Sequence, residues 1–176
     1  MSNAAGYLIE VLSQAHDKKG FSCGNQALDH YLQHQAGQDL RRHVAATFVL
    51  REKNSLIVAG YHALAATSIE LGRLPLEISK KLPRYPLLPA TLLGRLAVDE
   101  KYQGKGLGRL LLINALKRSL KLSKEIAAMA VVVDAIDQKA IQFYQYYGFI
   151  PFLNKGNQLF LPMRTVEQML EVPVPA

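Results

Sequence analysis

Three glycines fall within six residues, Gln103-Gly104-Lys105-Gly106-Leu107-Gly108, just ahead of an apolar stretch with helical periodicity. At a helix start, free backbone N–H groups and the positive end of the helix dipole can hold a pyrophosphate. Glycine suits such a loop, because any Cβ would obstruct the approach of phosphate oxygens to the backbone. Lys105 and Arg109 add positive charge beside it. Spacing excludes two common phosphate loops. A Walker loop needs Lys-Ser/Thr after its last glycine, and here Gly108 is followed by Arg109-Leu110. A dinucleotide fingerprint needs G-x-G-x-x-G, and Arg109 takes the place of the third glycine. The glycines alone leave open a turn with no ligand.

Other residue types with chemical potential are scattered. Ala140, Tyr144 and Tyr147 share one helical face at i, i+4 and i+7. On spacing alone Tyr144 is a core tyrosine whose hydroxyl lies at the edge. His30 and His34 stand at i, i+4, a metal-binding spacing, but no third ligand accompanies them and no metal is expected. Cys23 precedes a helix start, where a thiol pKa can fall, yet without a histidine partner it reads as packing. Glu70, at a strand end, is the one candidate for a general base.

These residues need elements to position them. Asn25 can cap a helix carrying Leu28, Tyr31 and Leu32 at i, i+3, i+4. The segments 45–50 and 56–66 read as strands closed into a hairpin by the charged turn 51–55. Prolines at 75, 83, 86 and 89 predict a surface connection from Leu74 to Pro89. A strand over 91–98, the turn 99–102, the glycine loop and a helix over 107–122 follow. The β-branched run 127–133 predicts a central strand covered on both faces. Asp137 then opens a helix stopped at Gly148, and a last strand spans 158–163. The order is α, β, β, loop, β, α, β, α, β.

A chain of 176 residues is long enough for one good core, and one domain, 1–176, is expected. Its single cysteine excludes an intramolecular disulfide framework and fits a reducing compartment. Met1 to Glu10 shows no signal-peptide pattern and no apolar run is long enough to span a bilayer, so a cytoplasmic location without membrane contact is expected. The net charge of +7 points to a polyanionic partner, whether nucleic acid, acidic protein segment or phosphate-rich cofactor. Arg41, Arg42, Arg73, Lys80, Lys81 and Arg84, with Lys117, Lys121 and Lys124, could track a nucleic acid backbone or form an ordinary solvated surface.

Two segments carry a family resemblance. Arg95-Leu96-Ala97-Val98-Asp99 followed by Tyr102 to Gly108 resembles the coenzyme A signature of the GNAT acetyltransferases, Q/R-x-x-G-x-G/A after a Val-Asp strand end. Ala140 to Phe149 resembles that family's A-x-x-F-Y-x-x-x-G-F segment. The resemblance implies an α/β GNAT fold, a mixed central sheet with a splayed parallel strand pair and flanking helices, and acetyl-CoA as cosubstrate. It places the phosphates on Gln103, Gly104, Lys105, Gly106, Leu107, Gly108 and Arg109, and the pantetheine on the backbone of Leu96, Ala97 and Val98, with an oxyanion donor there. It makes Tyr144 the proton donor to departing coenzyme A.

Phe21 to Leu32, Ala46-Thr47-Phe48-Val49, Leu93 to Asp99 and Val133-Asp134-Ala135 together resemble the GNAT toxins of toxin-antitoxin pairs, over about residues 21 to 164. That subfamily implies aminoacyl-tRNA as acceptor, a ribbon-helix-helix antitoxin as partner and a homodimer. An α-amine titrates near 7.7 to 8, and esterification lowers this further, so such an acceptor is largely neutral without a strong protein base. The alternatives are an acetyltransferase for a small amine or a protein N-terminus, and a non-catalytic acyl-CoA-binding regulator.

Overall fold

The computed structural model describes residues 4–171. The first three and last five residues of the expected single domain, including the start of the segment tested for a signal peptide, lie outside them. Seven strands are ordered β1-β2-β3-β4-β5-β7-β6. They are β1 (Tyr7–Val11), β2 (Ala46–Glu52), β3 (Val58–Glu70), β4 (Leu87–Val98), β5 (Ala130–Asp134), β6 (Ile150–Phe152) and β7 (Lys155–Pro162). The helices are α1 (Gln26–His30), α2 (Ala36–Arg41), α3 (Leu76–Ser79), α4 (Leu107–Ser123), α5 (Gln138–Tyr146) and α6 (Met163–Glu171). No helix among the described residues is long and apolar enough to cross a membrane.

The contacts group the chain into two compact units. One takes the chain up to Ala65 together with Gly94–Ala115, the other Ala66–Leu93 and the chain from Leu116 onward. In the first, β1 pairs antiparallel with β2 and β2 with β3. Side chains alternate across a strand, so Leu50 and Ala59 gather with Leu107 and Leu111, while Val49, Val58, Tyr61 and Ala97 join Leu28, Tyr31 and Leu32. Gly60 permits the close approach on one of these faces. A Cβ there would stand 2.9 Å from Leu111 Cδ1 and 3.0 Å from the Ala97 carbonyl oxygen.

In the second unit β4 runs parallel to β5, pairing Thr91 with Val131, Leu92 with Val132 and Leu93 with Val133, and β4 continues to Val98. β7 pairs antiparallel with both β5 and β6. Ala130 to Val133 are buried, as the continuous β-branched run requires. Ile69, Leu74, Leu88, Phe152 and Phe160 complete this core. α6 buries Met163 and Val166, one turn apart.

Several boundaries differ from the sequence expectation, and β1, β6 and α6 are additions to its order. The helix after Asn25 is not continuous: Asn25 Oδ1 caps α1 by accepting from Leu28 N–H at 3.1 Å, but Tyr31–Gln35 form a π turn before α2. The surface connection is shorter than the prolines suggest, because α3 interrupts it and β4 begins at Leu87. Pro89 lies within that strand, and its carbonyl, which a proline keeps, accepts from Met129 N–H at 2.9 Å. The run expected to start at residue 127 enters β5 only at Ala130.

Candidate active site

The end of β4 and the glycine loop belong to one unit and are tied together through side chains. Asp99, buried, caps the 3-10 turn Glu100–Tyr102 by accepting from Lys101 N–H at 2.9 Å and also accepts from Ser22 N–H at 3.0 Å. Gln103 then turns its carboxamide back, donating to the Val98 carbonyl at 2.9 Å and to the Cys23 carbonyl at 3.2 Å. Between these anchors and α4 the chain passes through Gly104 at φ +79° and Gly106 at φ +78°, a left-handed conformation that L side chains resist.

The loop's chemistry follows from this path. Gly104, Lys105, Gly106 and Arg109 are exposed, whereas Leu107 is buried and pins the first turn of α4. The leading N–H groups of a helix have no intrahelical partner. Lys105 Nζ sits 5.2 Å from the centre of the Tyr102 ring, which keeps the ammonium beside the loop. Exposed N–H donors, two left-handed glycines and flanking cations suit a pyrophosphate. Leu96 and Val98 pack on the Leu50 and Leu111 side and Ala97 on the Tyr61 side, so these residues also serve the core.

Tyr144 belongs to the other unit. Asp137 Oδ1 caps α5 by accepting from Ala140 N–H at 2.8 Å. Gly148, at φ +93°, ends the turn that follows, and the Tyr144 carbonyl accepts from Phe149 N–H at 3.1 Å. The Tyr144 ring meets Phe149 edge-on at 5.3 Å and Phe143 at 5.2 Å. With the residue 6% exposed, burial pushes its phenol pKa well above the usual range, and the negative charge of Asp134 pushes it further. The phenol is therefore protonated throughout the neutral range. Its neighbours differ: Tyr146 is 82% exposed, and Tyr147 packs its ring edge on Phe143.

Asp134 lies in a segment that carries the family resemblance, where no role is assigned to it. It ends β5, accepts from Gln158 Nε2 at 2.7 Å, and Gln158 Oε1 in turn accepts from Arg73. The Arg73 guanidinium also lies 4.6 Å from the centre of the Phe152 ring. The signal in the sequence was the polar end of an otherwise apolar strand.

The remaining candidates are placed as follows. Glu70 is exposed at the end of β3. Arg41 and Arg42 are exposed in the first unit, Lys80, Lys81 and Arg84 in the second, and Arg73 is half-buried in the contacts just described. Lys117, Lys121 and Lys124 are exposed on α4 and just past it. His30 and His34 are exposed, with ring centres 4.7 Å apart. Burial and the adjacent Asp29 push the Cys23 thiol up to about 11, which leaves it protonated and unreactive, as a packing role requires.

Comparison with known proteins follows the same line. A family model described as an acetyltransferase (GNAT) domain matches residues 43–151. The tRNA-acetylating toxin of Mycobacterium tuberculosis is 35% identical over 141 residues, covering 78% of this chain and 81% of that protein. The solved structure of AtaT complexed with acetyl-methionyl-tRNAfMet is 30% identical, with a TM-score of 0.87 over 93% of this chain and 99% of that one. A mutant of the toxin AtaT, bound to the C-terminus of the antitoxin AtaR and acetyl-CoA, is 26% identical, with a TM-score of 0.79 over 94% and 99%.

Proposed function

Because the chain belongs to the GNAT acetyltransferase family, we propose that residues 1–176 act as one acetyl-CoA-dependent domain, a toxin that acetylates the α-amine of aminoacyl-tRNA. The observation that carries the donor half is the loop at φ +79° and +78° leading into α4, built for a pyrophosphate. The likeness to a tRNA-acetylating toxin and to a structure holding acetyl-methionyl-tRNA supports the acceptor half.

In this reading Gly104 to Gly108 bind the phosphates through backbone N–H groups, with Lys105 and Arg109 balancing charge. The backbone at Leu96 to Val98 lies along the pantetheine and donates to the thioester oxygen as negative charge develops there. The amine nitrogen attacks the carbonyl carbon, the C–S bond breaks, and Tyr144 gives its proton to the departing sulfur. The proton shed by the amine restores the tyrosine, directly or through solvent. A neutral α-amine needs no strong base, which fits a site where Glu70 has no assigned role.

The exposed cations Arg41, Arg42, Lys80, Lys81 and Arg84 supply contacts to the acceptor's phosphates, and Arg73 adds charge from its place on Phe152. An antitoxin of the ribbon-helix-helix class is the partner that neutralises the enzyme, and the active species is a cytoplasmic homodimer.

The test is transfer of radiolabelled acetyl from acetyl-CoA to a pool of charged tRNA, with wild type and Tyr144→Phe compared. Label on the aminoacyl group that collapses in the variant supports both acceptor and acid. Absence of label from wild type that binds acetyl-CoA overturns the acceptor and directs the search to small amines and protein N-termini.

A further inference from the structure

The start of α1, the π turn and the end of β4 enclose an open pocket of about 520 Å³, lined by Gln26, Ala27, His30, Tyr31, Gln35 and Arg95. None of these six was assigned to the phosphate loop or to acid catalysis. The volume lies in the range of small-ligand sites, roughly 300–1,000 Å³. It has room for a single nucleotide.

The lining has a definite chemistry. The Arg95 guanidinium lies 3.5 Å from the centre of the Tyr31 ring. Stacking occupies one face of the guanidinium plane and leaves its in-plane N–H groups available to an anion. No carboxylate among the described residues forms an ion pair with Arg95. The nearby acid, Asp39, is engaged elsewhere, accepting from the Tyr31 hydroxyl at 3.0 Å and from Gln35 Nε2 at 2.8 Å. The lining itself holds a guanidinium, an imidazole, two carboxamides and an aromatic ring, and no acid. Such a set fits a phosphate with a base to hydrogen-bond, and offers little to an apolar side chain.

The backbone reinforces this. Ala36 N–H bonds to the Tyr31 carbonyl, the i to i+5 closure of a π turn. That wider turn places its two end residues, Tyr31 and Gln35, in the lining. π turns interrupting helices are frequent at functional sites. Arg95 also immediately precedes Leu96, the first residue assigned to the pantetheine.

We propose that this pocket seats the 3′-terminal nucleotide of the acceptor RNA, with Arg95 against its phosphate and Gln26, Gln35 and His30 around its base. The proposal rests on aminoacyl-tRNA being the acceptor.

The test compares wild type, Arg95→Ala and Gln26→Glu in acetyl transfer to charged tRNA, with acetyl-CoA affinity and melting temperature measured on the same proteins. Gln26 is exposed at the first turn of a helix, where a carboxylate is tolerated, so this variant tests the pocket even if Arg95→Ala folds poorly. Expected is a rise in KM for charged tRNA on the order of tenfold in both variants, with acetyl-CoA affinity within about twofold of wild type. An unchanged KM in Gln26→Glu and in folded Arg95→Ala overturns the proposal. A parallel loss of acetyl-CoA affinity does so too, by making the residues supports of the donor site. Unchanged tRNA kinetics with weakened binding of the antitoxin assigns the pocket to a peptide and equally overturns it. Wild type that acetylates amino acid methyl esters but no charged tRNA defeats the acceptor assignment itself, a result distinct from all of these.

Discussion

The carboxamide of Gln103 donates across the mouth of the glycine loop to the carbonyl of Val98, 2.9 Å away, and so clamps the loop to the strand that precedes it. Gln103→Ala removes this bond and the one to Cys23, leaving the glycine path unchanged. Each such bond contributes about 1 kcal/mol. Acetyl-CoA affinity measured calorimetrically is expected to fall about five- to tenfold, with little change in melting temperature.

Gly104 offers a clean test of backbone conformation. A Cβ there meets nothing within 4 Å, so the cost of Gly104→Ala comes from φ +79° alone. That cost is about 1–2 kcal/mol. Chemical denaturation is expected to show a loss of that size, or else a loop that escapes the strain by moving and binds acetyl-CoA correspondingly less well.

Tyr144→Phe keeps the ring that packs on Phe143 and Phe149 and removes only the hydroxyl. Turnover is expected to fall about a hundredfold, with acetyl-CoA affinity retained. The pH dependence is equally specific. An acid must be protonated to act, and burial raises the phenol pKa, so the protonated form persists above the ordinary tyrosine range. Wild-type turnover should show no loss attributable to this group up to pH 10, and a descending limb near pH 9 that is absent in the phenylalanine variant would contradict the assignment.

Glu10 anchors β1 through Arg51 Nε at 2.5 Å and His16 Nε2 at 2.8 Å. The hydrogen bond from Arg51, then that from His16, holds its carboxyl below the usual carboxylate range. A carboxylate depressed in the folded state stabilises above its unfolded pKa, and this contribution is lost as pH falls through the folded value. Glu10→Gln should therefore melt below wild type at pH 7, by a small margin because solvent reaches the half-buried group, with the gap closing below about pH 4.5. A constant gap down to pH 3 would show that the effect is not the charge.

The backbone of the glycine loop and the helix starts were legible because they depend on residue type at fixed spacing. The glycines at 104 and 106 announce left-handed backbone, and the caps at Asn25 and Asp137 accept the expected N–H groups. The misses have physical reasons. β1 was overlooked because its edge strand Tyr7–Val11 lacks strict alternation, with exposed Leu8 and Val11 beside half-buried Ile9 and Glu10. α6 is missing from the sequence expectation, whose last strand stops at 163, because the helix follows β7 with no intervening turn signal. The π turn was invisible because Leu28, Tyr31 and Leu32 satisfy ordinary helical spacing, although the last two already lie in the wider turn. Asp134 and the Arg95 pocket depend on pairs remote in sequence, which spacing does not encode.

The π turn at Tyr31–Gln35 also marks a place where chain length, rather than residue identity, sets what the surface offers. Deleting one residue there would let α1 and α2 run on as a single regular helix. Tyr31 and the present Gln35 would then stand three residues apart on one face of that helix, so the extra residue sets the spacing between these two side chains and not whether they are neighbours.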